Sequence, residues 1–249
     1  MANDSRDSSL MKWLKLIVGI ELLPFVWAVS LTFFQTVASL GHPGHFFKSD
    51  HFIFFLAGFV AWTVIFLTLP KPMRLYVLGH ELTHAIWVIA MGGRVTGFKV
   101  GKDGGHVQTD TVNFWIALAP YFFPIYTVFI ILLYGLCNLF WDLAPWVGWL
   151  YFLIGLSWSF HVVFTLKMIP TVQPDITSNG WLFSLVVIYI MNVLIVWCFL
   201  LTVVPELPWG SNLLLLWENT VDAYVGVIAT AWRIFMDMIG MISDSLKKN

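Results

Sequence analysis

His80, Glu81 and His84 stand in the order His-Glu-Leu-Thr-His inside an apolar stretch that runs from Leu75 to Met91. On a helix, residues four apart share a face, so the two imidazoles project together. Imidazoles at that spacing bind one zinc ion, and a carboxylate beside them is placed to act as general base for a water at the metal. The apolar setting strengthens this reading, because ionisable groups among lipid-facing residues are costly and mark functional positions. The same residues also fit a reading without metal, as histidines satisfied inside a core or paired with Glu81. Metal content separates the two.

A zinc site of this type needs a third protein ligand and an open position. The motif helix supplies none: Trp87 and Val88 take the next facing positions, and no third histidine extends the pattern. Among the later acidic residues Asp175 is best placed. It lies between apolar runs, follows Pro174, and sits at a break where its side chain can turn inward. Its competing role is to cap the helix that follows. His161, alone within an apolar run, is a candidate ligand, support for a ligand, substrate contact or hydrogen-bonded structural group. His106, Asn113 and Gln173 are polar enough to contact a substrate or to support a ligand. His42, His45, Asp50 and His51 share one loop without helical spacing, which favours a solvated connector over a second metal site.

Composition sets the solvent these residues work in. Of 249 residues, 59% are hydrophobic and 11% charged, where a soluble domain is about a quarter charged. The chain reads as an integral, multi-pass membrane protein. A net charge of −1 gives no electrostatic case for nucleic acid. Cys137 and Cys198 both lie in apolar runs, which speaks against disulfide staples and excludes a cysteine-rich zinc site.

Apolar runs at Trp13–Leu40, Phe52–Leu69, Leu75–Met91, Phe114–Phe140, Trp146–Leu166 and Trp181–Val204 are each close to the length a bilayer requires, about 20 residues. The first exceeds a signal-peptide core and has no small-residue cleavage site, so it is expected to stay as a span. Pro70 and Pro72 stop the second span. Gly92-Gly93 ends the motif helix, and Val95 to Val107 around Gly101–Gly105 predicts a β-hairpin. An edge strand there offers main-chain pairing to an extended peptide; an ordinary connector is the alternative. Pro120 and Pro124 predict a broken helix, tolerated where protein or a cavity covers the freed backbone. Leu213–Leu246 carries Glu218, Asp222, Arg233, Asp237 and Asp244 on a narrow stripe, the pattern of an amphipathic helix that either lies in the interface or packs on the bundle. The expectation is therefore an all-α polytopic membrane protein of about six transmembrane helices. A hairpin-like loop follows the motif helix. Residues 1–206 form the membrane domain, with its core at 72–204, and 207–249 form a C-terminal interfacial helix. Arg6, Lys12, Lys15, Lys71 and Arg74 put the N-terminus and the Lys71–Arg74 turn in the cytoplasm.

With these residues in view, the chain resembles the site-2 protease family of intramembrane zinc metalloproteases. The likeness rests on His80-Glu81-x-x-His84 in a membrane helix, the Gly-rich hairpin-like loop, and an Asp at the edge of a later span. It covers roughly residues 72–204. The resemblance implies one zinc held by His80, His84 and Asp175, with Glu81 activating the water that attacks a peptide bond of a membrane substrate. The family's third-ligand segment reads Asn-x-x-Pro followed by Leu-Asp-Gly. Here Gln173-Pro174-Asp175-Ile176 lacks the glycine, so this is a compact, divergent pattern. The alternative is a non-proteolytic membrane protein, a pseudoprotease holding membrane clients or a metal transporter.

Overall fold

The computed structural model describes residues 2–40, 46–101 and 104–247. His42 and His45 lie outside them, as does the Asp244 side chain. Helix α1 (Ala2–Glu21) passes into α2 (Leu23–Ser39) at Pro24, which lies in the first turn of α2. Leu22 and Val26 keep the helical hydrogen bonds across the join. Helix α3 (Asp50–Thr68) starts where Ser49 Oγ accepts the Phe52 N–H at 3.2 Å. It ends at the Pro70/Pro72 turn, and α4 (Met73–Ala90) carries the His-Glu-x-x-His residues. Gly92, at φ +78°, closes α4.

Strands β1 (Val95–Val100) and β2 (Gly105–Thr109) form the expected antiparallel hairpin, with Val100 opposite Gly105 and an irregularity between Val95 and Gly97. The Arg94 N–H and the Thr111 hydroxyl donate to Asp110 Oδ1 at 2.8 and 3.0 Å. The bond from the Arg94 amide, then that from Thr111, holds the exposed Asp110 carboxyl below its ordinary range. Next come α5 (Phe114–Leu118), one 3-10 turn (Ala119–Tyr121) and α6 (Ile125–Asn138), bent by 79° at the two prolines. Helix α7 (Val147–Met168), the short α8 (Pro174–Thr177), α9 (Trp181–Val203) and α10 (Trp209–Lys247) complete the chain.

Five helical stretches among the described residues are long and apolar enough to cross a membrane: Leu10–Ser39, Asp50–Thr68, Ala144–Met168, Trp181–Val203 and Trp209–Ser243. The bent α5–α6 pair makes a sixth if it counts as one span. The membership differs from the sequence expectation. Helix α4 is not in this set, because its charged and polar residues lower its apolarity, and α10 is.

Helices α3 and α7 pack closely because Gly58 and Gly155 face each other's partner backbone. A Cβ at either would overlap the carbonyl of Phe152 or Phe55. Helix α10 packs antiparallel on α2 through buried amides. Asn212 Oδ1 accepts from Thr36 at 3.0 Å, Asn219 Nδ2 donates to Thr32 and Gln35 at 2.9 and 2.8 Å, and Tyr224 OH donates to the Glu21 carbonyl at 2.8 Å. Beyond Tyr224, residues 225–243 are exposed. The core beside the site joins Leu118, Tyr121 and Phe122 to Ile176, Phe183 and Val187, locking α5 and α8 onto α9.

Candidate metal centre

His80 and His84 share one face of α4, as their spacing dictates. Asp175 enters from the first turn of α8, 95 residues after His80, and its carboxylate turns to the histidines. Gly180, not Asp175, takes the capping position of α9. His80 Nε2 lies 3.2 Å from Asp175 Oδ2, His84 Nε2 lies 3.4 Å from the same oxygen, and the two Nε2 atoms are 3.2 Å apart. These atoms make a nearly equilateral triangle.

Protonation follows from the neighbours. His84 Nδ1 lies 2.8 Å from the Ile116 carbonyl, which only accepts, so Nδ1 carries the proton and neutral His84 presents a lone pair at Nε2. That lone pair faces the His80 imidazole and a carboxylate oxygen, an arrangement that could hold a metal ion between the three atoms. A tetrahedral zinc with bonds of about 2.0–2.1 Å has edges of about 3.3–3.4 Å, the size of this triangle. The three residues are the one group of His, Cys, Asp or Glu ligand atoms among the described residues that converges in this way. Burial opposes the Asp175 charge, but hydrogen bonding and charge from His80 and His84 outweigh it and hold the carboxyl below its usual range.

The Ile116 carbonyl is free for a local reason. In a helix it would accept the N–H four residues on, which is Pro120 and has none. The break that bends α5 away from α6 thus supplies the acceptor that orients His84. Asn113 acts one step further out. Its Oδ1 accepts the Ile116 N–H at 2.9 Å and so caps α5.

Glu81 is 7% exposed. It lines a cavity of 660 Å³ with His80, His84, Gln173 and Asp175, roofed by Gly105, His106 and Val107 of β2. Glu81 and the hairpin touch. A Cβ on Gly105 would lie 2.6 Å from Glu81 Cγ. Gln173 Oε1 also lies 3.5 Å from Tyr121 OH.

The chain thus brings together His80, Glu81, His84 and Asp175 and sets His106 and Gln173 on the cavity wall. His161 is not joined to them. Its Nε2 is buried without a hydrogen-bond partner among the described residues, beside a void of 20 Å³ that reaches the far side of His80. Four further residues support the site. Tyr76 OH sits 3.4 Å from His80 Nδ1, and Tyr121 OH donates to Asp175 Oδ2 at 3.4 Å. Lys15 of α1 donates to Asn179 Oδ1 at 2.6 Å, and Asn179 donates to the Asp175 carbonyl at 2.9 Å. Tyr76 stands one helical turn before His80 and Asn179 four residues after Asp175, spacings visible in the sequence; the contacts of Tyr121 and Lys15 join distant segments. No family model, curated protein or solved structure matches the chain.

Proposed function

We propose that this protein is an intramembrane zinc metallopeptidase that hydrolyses peptide bonds of membrane-associated or membrane-spanning substrates. His80, His84 and Asp175 hold one zinc ion in this reading, and Glu81 is the general base. The observation that carries it is the triangle of ligand atoms, with sides of 3.2, 3.2 and 3.4 Å, opening on a cavity that Glu81 lines. The reading agrees with the resemblance to site-2 proteases.

Zinc, when bound, lowers the pKa of water towards neutrality and polarises a carbonyl. The chain's own groups do the rest. Glu81 takes a proton at its carboxylate and returns it to the leaving amine. The Ile116 carbonyl fixes the tautomer of His84, and Tyr121 OH steadies the Asp175 carboxylate. The cavity runs along α4 from Met73 to Val88, a rise of about 22 Å. That length admits about six residues of extended peptide. A substrate helix hides its peptide bonds in internal hydrogen bonds, so it must unwind before cleavage. The free edge of β2, beside the cavity, offers main-chain groups to the unwound segment.

Zinc analysis of the detergent-purified protein, with hydrolysis of transmembrane model peptides, tests this. About one zinc per chain is expected, lost in His84→Ala and in Asp175→Ala. Glu81→Gln is expected to keep zinc and to lower the cleavage rate about 100-fold or more. Full activity in Glu81→Gln would remove the mechanism. A well-folded protein that takes up no zinc would favour a client-holding role instead.

A further inference from the structure

At the end of the bundle away from the metal centre, a groove of 420 Å³ lies between α3, α7 and α9. Its walls are Phe52, Phe55, Phe59, Trp158, Phe199 and Leu200. Polar groups gather at one end only, where Ser49 caps α3 and Glu206 follows the last turn of α9. There the His51 and Tyr151 rings also pack against each other at a tilt of 43°, with 4.6 Å between centroids.

We infer that this groove holds one acyl chain of a bilayer phospholipid with a primary-amine headgroup, the amine meeting Glu206. Bilayer insertion is assumed; zinc and catalysis are not. Size favours a single chain over a helix as occupant. A helix is about 10 Å across, and even two turns of one would overfill the volume, whereas 420 Å³ lies in the range of small-molecule sites, about 300–1,000 Å³. Direction fits a lipid. The polar rim lies at helix ends, the level of headgroups, and the apolar walls run inward from His51 to Phe59, a rise of about 12 Å. One leaflet of hydrocarbon is about 15 Å deep. Ring faces along the slot supply dispersion contact to a saturated chain.

Charge selects the head. Among the described residues, Glu206 lines the rim, and Lys48 and Asp50 flank Ser49 beside it, so carboxylates outnumber ammonium groups there, which disfavours anionic lipids. Glu206 is exposed and has no ion-pair partner within 4.0 Å among the described residues. An ethanolamine ammonium can donate hydrogen bonds to that carboxylate. A choline head has no N–H to give.

The test is native mass spectrometry of the protein released from nanodiscs. These contain equal amounts of phosphatidylethanolamine and phosphatidylcholine with identical chains. One retained lipid per chain is expected, enriched at least several-fold in phosphatidylethanolamine. Glu206→Gln should keep one lipid and lose the enrichment. Val203→Trp, which fills the slot, should retain none. Its circular dichroism and elution should match the wild type. No retained lipid, retention in the 1:1 membrane ratio, or enrichment unchanged in Glu206→Gln would each overturn the inference. Zinc content measured on the same samples reports separately on the metallopeptidase reading.

Discussion

The proton on His84 Nδ1 depends on a proline four residues beyond its acceptor. Pro120 leaves the Ile116 carbonyl without a helical partner, and the imidazole takes it at 2.8 Å. Pro120→Ala restores an N–H that competes for that carbonyl. Zinc affinity, measured by chelator competition, should fall about 10- to 100-fold, the usual effect of losing a ligand's supporting hydrogen bond. Unchanged affinity would mean that packing alone orients His84. The case shows which residues a sequence exposes. His80 and His84 are legible because a four-residue spacing is local, and Asp175 because few acidic residues border the apolar runs. The Ile116 carbonyl is not, since every residue has one and the only clue is a proline elsewhere. Tyr121 is equally hidden. Its hydroxyl reaches Asp175 only because the chain kinks beside it.

At the scale of elements, the hairpin over the cavity does more than connect α4 to α5. Gly105 pairs with Val100 and lets β2 lie against Glu81. A side chain there would place Cβ 2.6 Å from both Glu81 Cγ and the Lys99 carbonyl oxygen. Gly105→Val should therefore lift the roof and shift Glu81 while sparing the three ligands. The expected outcome is normal zinc content with peptide hydrolysis down about 100-fold, the cost of displacing a reacting group by about an ångström. Zinc loss in this variant would show that hairpin and ligands form one unit. The hairpin was readable from its Gly-rich turn, and the α5–α6 break from its two prolines. The partner of α10 was not. Its polar stripe allows an interfacial helix or one packed on the bundle, without naming a partner, and Asn212 and Asn219 are buried against Thr36, Thr32 and Gln35 of α2. A buried amide ladder looks the same in sequence as a solvated one.

For the whole molecule, orientation follows from where cations gather. The end bearing the metal centre carries Lys12, Lys71, Arg74 and Lys167. Lys71 and Lys167 converge on the Phe66 ring, at 5.5 and 5.9 Å. Arg94 and Lys99 belong to the hairpin folded along α4 and mark neither end. The opposite end has Lys48 with Asp50, Asp142 and Glu206. Lysine and arginine bias sets topology and acidic residues contribute little, so the metal-centre end should face the cytoplasm. Single cysteines test this in a background of Cys137→Ser and Cys198→Ser. Asp142→Cys and Thr171→Cys are both exposed positions at opposite ends. A membrane-impermeant maleimide should label Asp142→Cys in intact cells and Thr171→Cys only after permeabilisation. The reverse pattern would turn the molecule over. Zinc would then come from the outer compartment, and the aromatic groove would draw its lipid from the inner leaflet.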